Sequence, residues 1–169
     1  VHVSMLGSLD DIAEWIGIAR YEKKNVIEIG AGSGHLARII AKAAQHVSVY
    51  EPCLGLRPEA LPESNISLFN EPFTGVHCNN AADLIVCRQV LEHLATPGDL
   101  IDQIAGALNL YGHAYLEVPS AEYIIEHCAF NDFHLAHVQY FAEAHLVHLA
   151  AQAGLIPIAT NRLKDGHDF

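Results

Sequence analysis

Positive charge is scarce in this chain of 169 residues. Nine Lys and Arg face twenty Asp and Glu, and the formal net charge is -11 with histidine neutral. The basic residues are scattered, and only Lys23 and Lys24 are adjacent. A nucleic-acid binder carries a basic patch or stripe, so this balance argues against RNA or DNA and against polyanionic surfaces. It leaves a small-molecule partner open. The cysteines at 53, 78, 87 and 128 include no Cys-x-x-Cys pair. Neither a zinc knuckle nor a redox pair is therefore expected, and a reduced, cytoplasmic protein is. Cys87, at the end of an apolar run, reads as a buried thiol. No signal peptide is visible, and no apolar run nears the ~20 residues of a membrane span. Repeats and low-complexity tracts are also missing. With 51% hydrophobic and 17% charged residues, the chain has the makeup of a single globular domain with a real core. Its oligomeric state is not legible.

Alternating strand and helix signals run along the chain. A helix is expected from Leu9 to about Tyr21, capped near Ser8 or Asp10, with Trp15 on its apolar face. Strands are expected at Asn25–Ile29, His46–Tyr50, Ile66–Phe69, Ala82–Cys87, Gly112–Val118 and Leu155–Arg162. Helices are expected over about His35–Ala44, Pro97–Leu108 and Ala142–Ala153, the last closed by Gly154. The fourth strand is a continuous apolar run suited to burial on both faces. This order predicts an α/β fold, a doubly wound and mostly parallel sheet covered on both sides.

The most informative stretch is Val26-Ile27-Glu28-Ile29-Gly30-Ala31-Gly32-Ser33-Gly34-His35. It reads as a buried strand breaking into a glycine-rich turn and then a helix. Such a turn at the carboxyl end of a first parallel strand is where open α/β sheets bind ligands. Gly30, Gly32 and Gly34 leave no Cβ above the backbone. Glu28 lies two residues before the turn, within reach of a polar or cationic part of a ligand. Counted from Gly30, the Gly-x-Gly-x-x-Gly dinucleotide spacing fails at His35. Counted from Gly32, it reaches the small residue Ala37, so a nicotinamide site stays open. Glu51 ends the second strand, placed to accept hydrogen bonds from ribose hydroxyls and to repel a 2′-phosphate.

Glu-x-Gly-x-Gly-x-Gly resembles the first motif of the S-adenosylmethionine (SAM)-dependent methyltransferases. Asp83-Leu84-Ile85-Val86-Cys87-Arg88-Gln89-Val90-Leu91-Glu92-His93-Leu94 is similar to the fourth motif of their class I. The resemblance implies SAM as cofactor, a Rossmann-like methyltransferase fold and transferase activity. It implies that Asn70 or Glu71, at the end of strand three, meets the adenine. Arg88 and Gln89 would lie under the methionine end. Glu117-Val118-Pro119, His137 and Tyr140-Phe141 resemble the sugar C-methyltransferases and their relatives. His134, Leu135 and Ala136 depart from that branch's Tyr-His-Glu, and its cysteine-rich zinc part is absent. The fold of that class usually closes with a seventh, antiparallel strand. This chain stops where that strand should begin, so residues 1–169 are expected to be a single methyltransferase domain, truncated or excerpted from a larger chain.

His134 and His137 are the candidate catalytic residues. On a helix, residues three apart share a face, so the two could act as a base with its orienting partner, or as joint ligands lacking a third. Asp132 could steady one of the rings. Glu92 and His93, adjacent on a helix, would not face each other, and His93 reads as structural; no metal site is expected. The expected activity is methyl transfer from SAM to a small polar acceptor, such as a sugar, with a histidine as base. A second reading, favoured by the missing Tyr-His-Glu, is an inactive module serving as a binding or scaffold part.

Overall fold

The computed structural model describes residues 8–53, 55–75, 81–133 and 135–169. Among these residues five strands form one sheet: β1 (Asn25–Ile29), β2 (His46–Tyr50), β3 (Ile66–Phe69), β4 (Ala82–Arg88) and β5 (Leu108–Glu117). Their spatial order is β3-β2-β1-β4-β5, and every pairing is parallel. Among the described residues five α-helices accompany them: α1 (Leu9–Ile16), α2 (His35–Ala41), α3 (Pro97–Ala107), α4 (Ala121–Glu126) and α5 (Glu143–Gln152).

Strand alternation sorts the core into two layers. Ile27, Ile29, Ile85 and Cys87 face Ile101 and Ile104 of α3 and Leu146 of α5. Val26, Leu84 and Val86 face Ile12 of α1 and Leu36 and Ile40 of α2. β4 is buried apart from Asp83 and Arg88, as its apolar run predicts, and the Cys87 thiol is fully buried.

Several boundaries differ from the sequence reading. The first helix is capped by Ser8, whose hydroxyl accepts from the Asp11 N–H, but it stops at Gly17 with φ 71°. A separate 3-10 turn covers Ile18–Tyr21. Trp15 is 38% exposed, with its ring set edge-on 5.6 Å from Tyr115. α2 ends at Ala41, three residues early. β5 begins four residues early, and its register against β4 slips between Ala82 and Leu84. Leu110 and Tyr111 bulge into solvent there. A Cβ on Gly112 would stand 2.8 Å from the Ala82 carbonyl.

The sixth strand, expected at Leu155–Arg162, is not formed. Residues 155–162 make no ladder, and Ile156 and Ile158 are mostly exposed. Pro157 has no N–H to donate, and β5 pairs only with β4 among the described residues. The chain turns back instead. Phe169 and Val118 exchange backbone hydrogen bonds of 2.9 and 3.0 Å.

Candidate functional site

From β1 the chain winds outward through β2 to β3, then crosses to β4 and winds the other way. The carboxyl ends of β1 and β4 therefore flank the switch point, where open parallel sheets hold their ligands. The glycine turn follows β1, and Arg88-Gln89 close β4. Gly30, Gly32 and Gly34 all have positive φ, yet their surroundings differ. A Cβ on Gly30 would stand 2.2 Å from Val90 Cγ2, and one on Gly34 would stand 2.6 Å from Leu61 Cδ2. The protein's own side chains fill the space above those two glycines. Gly32 alone of the three faces open space, with nothing within 4 Å of a Cβ position. The cradle is thus narrower than the sequence implies: two glycines admit packing and one admits a ligand.

Glu51 turns toward this opening. Its Oε2 accepts the Gly32 N–H at 2.7 Å, and its Oε1 accepts the Cys53 N–H at 2.8 Å. The carboxylate, 5% exposed, ties the tip of β2 to the glycine turn. Asn70 donates to the carbonyls of Glu51 and Leu56, both at 3.3 Å. Its side chain pins the loop after β2 and borders a depression of about 270 Å³ shared with Leu56, Arg57, Pro58 and Glu59. Glu71 lies exposed beside it. A larger hollow of about 420 Å³, between Lys23 and Gln45, lies at the opposite, amino ends of β1 and β2.

Glu28 is under the turn rather than at its mouth, on the sheet face that packs α2. It is 4% exposed, and its Oε2 has no hydrogen-bond partner among the described residues. Burial pushes its pKa up to about 8; the Arg88 charge and a backbone hydrogen bond from Ala37 pull it down, and Glu51 pushes it up.

Arg88 and Gln89, expected under the methionine end of the cofactor, both turn their side chains to a buried carboxylate. Arg88 Nε and Nη2 donate to Glu117 at 2.7 and 2.9 Å. Gln89 Nε2 reaches the same carboxylate at 3.4 Å, and the Tyr115 hydroxyl donates to it at 2.9 Å. Glu117 is fully buried, and an ionised carboxylate there requires this paired, hydrogen-bonded surround. Burial works against the Arg88 charge, but Glu117 holds it above its ordinary pKa. Burial and Glu117 both push the Tyr115 phenol up. Gln89 adopts φ 53°, sparsely populated for a residue with a side chain. Sequence reading placed Glu117 in a family motif but missed its role here, since its partner is 29 positions away.

His137 is not helical: residues 137–140 form no regular secondary structure, after a turn at Leu135 and Ala136. His134 lies outside the described residues. Asp132 reaches His167 Nε2 at 3.2 Å. His137 instead approaches His93, with ring centroids 5.0 Å apart. Glu92 and His93 sit on a 3-10 turn, Leu91–His93. There, contrary to the helical expectation, Glu92 Oε1 and His93 Nε2 come within 4.0 Å. A row of rings continues outward from His137 to Tyr140 at 6.3 Å and from Tyr140 to Phe133 at 4.9 Å.

A single parallel sheet with a glycine turn and an acidic strand tip at its switch point defines the Rossmann-like fold of the SAM-dependent methyltransferases. The chain belongs to the methyltransferase domain family Methyltransf_23, whose model matches residues 6–159. No curated protein sequence matches it. One similar solved structure is a chain of the complex between the Haloferax volcanii Trm112 methyltransferase activator and a methyltransferase. It shows 17% identity and a TM-score of 0.76, over 90% of this chain and 71% of that one. Another is the magnesium protoporphyrin IX methyltransferase of Synechocystis PCC 6803 with bound SAH, at 14% identity and TM-score 0.74 over 95% and 78%. A third is the 1,6-didemethyltoxoflavin-N1-methyltransferase of Burkholderia thailandensis, with bound 1,6-didemethyltoxoflavin and S-adenosylhomocysteine. It matches at 16% identity and TM-score 0.72 over 92% and 69%. At these identities the likenesses establish the fold.

Proposed function

We propose that this methyltransferase domain binds SAM across the switch point and transfers its methyl group to a small polar acceptor. The observation that carries this reading is the Glu51 carboxylate on the Gly32 N–H, beside the one glycine of the turn that faces open space. When bound, SAM supplies an activated methyl on a cationic sulfonium. The residues fit such a group. The buried Glu51 carboxylate stands at the tip of β2 beside the glycine turn, and a negative charge there favours a cationic ligand. Glu51 would exchange backbone N–H groups for ribose hydroxyls. Asn70 and Glu71 would border the adenine. Arg88 and Gln89 would act one step back, by holding the end of β4 in shape.

The acceptor side is the row His93, His137, Tyr140 and Phe133. Rings of this kind give a flat apolar face with polar edges, suited to a sugar or related metabolite, as in the sugar C-methyltransferase branch. His137 is the candidate base there, with His134 as a further candidate. A positioned base contributes about 10²–10⁴-fold and alignment up to roughly 7–11 kcal/mol. The unpaired thiols Cys53, Cys87 and Cys128 accord with a reducing, cytoplasmic setting. No helix among the described residues is long and apolar enough to cross a membrane.

Calorimetric titration with SAM tests the reading. Binding by the wild type, weakened about tenfold or more in Glu51→Ala through loss of charge-assisted hydrogen bonds, is expected. No heat with either protein overturns it. His137→Asn should lower turnover with SAM affinity intact; unchanged turnover removes it as the base.

A further inference from the structure

The turn after β4 carries chemistry that SAM binding does not use. Glu92 is 1% exposed, and neither of its carboxylate oxygens has a hydrogen-bond partner among the described residues. A buried carboxylate in that state is costly unless something compensates it. Two imidazoles stand against it. His93 Nδ1 lies 2.8 Å from the Ala136 carbonyl oxygen. A carbonyl only accepts, so Nδ1 carries a proton and Nε2 is the ring nitrogen turned to Glu92, 4.0 Å from its Oε1. Histidines that ligate metals are oriented in this way, with the other ring nitrogen donating to a carbonyl. The third group, His137, is brought in by the backbone. The N–H groups of Val138 and Gln139 both donate to the Glu92 carbonyl, at 2.9 and 3.1 Å. The Gln139 side chain donates to the Ala95 carbonyl at 3.3 Å. The loop holding His137 is thereby stapled to the turn holding Glu92 and His93. One ligand atom from each of the three lies within 4.8 Å of the others.

We propose that Glu92, His93 and His137 form a binding site for a divalent first-row transition ion. Two imidazole nitrogens and one carboxylate oxygen suit Zn²⁺, Mn²⁺ or Fe²⁺, whereas Mg²⁺ and Ca²⁺ favour oxygen donors throughout. Bonds of about 2.0–2.2 Å place ligands roughly 3–3.5 Å apart, so the three side chains close by about 1 Å on the ion. The exposed edge of His93 gives the ion its path, and three protein ligands leave a position for water or substrate. The inference goes beyond methyl transfer and does not depend on SAM binding. In the ion-loaded protein His137 serves as a ligand rather than a base.

The test uses the chain stripped with a chelator, without SAM or acceptor. Zn²⁺ is titrated by calorimetry, and Co²⁺ by visible absorption, which reports a four- or five-coordinate site directly. One equivalent of each is expected, with a rise in Tm on loading. His93→Asn and His137→Asn should each weaken binding by about tenfold or more, given that losing an outer partner alone costs about 10–100-fold. His145→Asn/His148→Asn, which removes an exposed pair on α5, should leave it unchanged. Glu92→Gln is the conservative third variant; should it fail to fold, the two histidine variants decide. Absent stoichiometric binding, or binding that survives both His93→Asn and His137→Asn, overturns the site. Neither result bears on SAM binding, which is measured separately.

Discussion

Glu28 holds its proton because it has traded water for the underside of the glycine turn. Its pKa of about 8 stands above the ordinary 4.5, with burial as the main cause. The unfolded chain ionises this carboxyl near pH 4.5 while the folded chain keeps it neutral. The stability it contributes is therefore complete below about pH 4.5 and is lost as pH rises to about 8. The slope is at most about 1.4 kcal/mol per pH unit. Denaturant unfolding of wild type and Glu28→Gln across that window should show the wild type losing ground to the variant with rising pH. Parallel curves would show that Glu28 ionises freely. The glycines separate in the same way. Gly30→Ala drives a methyl into Val90 at a position with φ 74° and should cost about 1–3 kcal/mol of stability. Gly32→Ala meets no side chain, so its larger effect should fall on SAM affinity, read by calorimetry.

The end of β4 owes its shape to β5. Arg88, Gln89 and Tyr115 all converge on Glu117, and this network holds the backbone at Gln89 in its positive-φ turn. Removing the carboxylate with Glu117→Ala leaves a largely buried guanidinium unpaired and should destabilise by about 3–5 kcal/mol. Tyr115→Phe removes one hydrogen bond from a carboxylate that keeps its other partners, and should cost about 1.5–3 kcal/mol. The midpoint of denaturant unfolding checks both. Equal effects of the two would mean that the Arg88 pair adds nothing beyond the phenol.

For the whole molecule, the proposed ligand site joins the two halves of the winding, since β1 and β2 contribute the glycine turn and Glu51 while β4 contributes the opposite wall. Ligand binding should therefore stabilise the entire domain. At a SAM concentration one hundred times Kd, mass action adds about 2.7 kcal/mol. For a domain of this size that is a rise in Tm of about 5–10 °C. Differential scanning fluorimetry should show it in the wild type and show it much reduced in Glu51→Ala at the same concentration.

Local pattern sufficed for much of this. The apolar run in β4, the glycine break after β1, the Ser8 cap and the Gly154 stop are signals carried within a few residues, and they led to the parallel α/β sheet. Strand propensity at Leu155–Arg162 did not suffice, because a strand exists only beside a partner, and Pro157 removes a donor even where a partner lies near. The site divides along the same line. The position of Glu51 beside the glycine turn was legible, because strand ends in a parallel sheet fall at one edge. The turning of Arg88 onto Glu117, and of Asp132 onto His167, was not, because a buried charge takes whichever opposite charge the packed chain brings near. The meeting of Glu92, His93 and His137 was decided by tertiary structure alone: a 3-10 turn in place of a helix, and two backbone hydrogen bonds to the Glu92 carbonyl, join His137 to residues that lie far before it in the sequence.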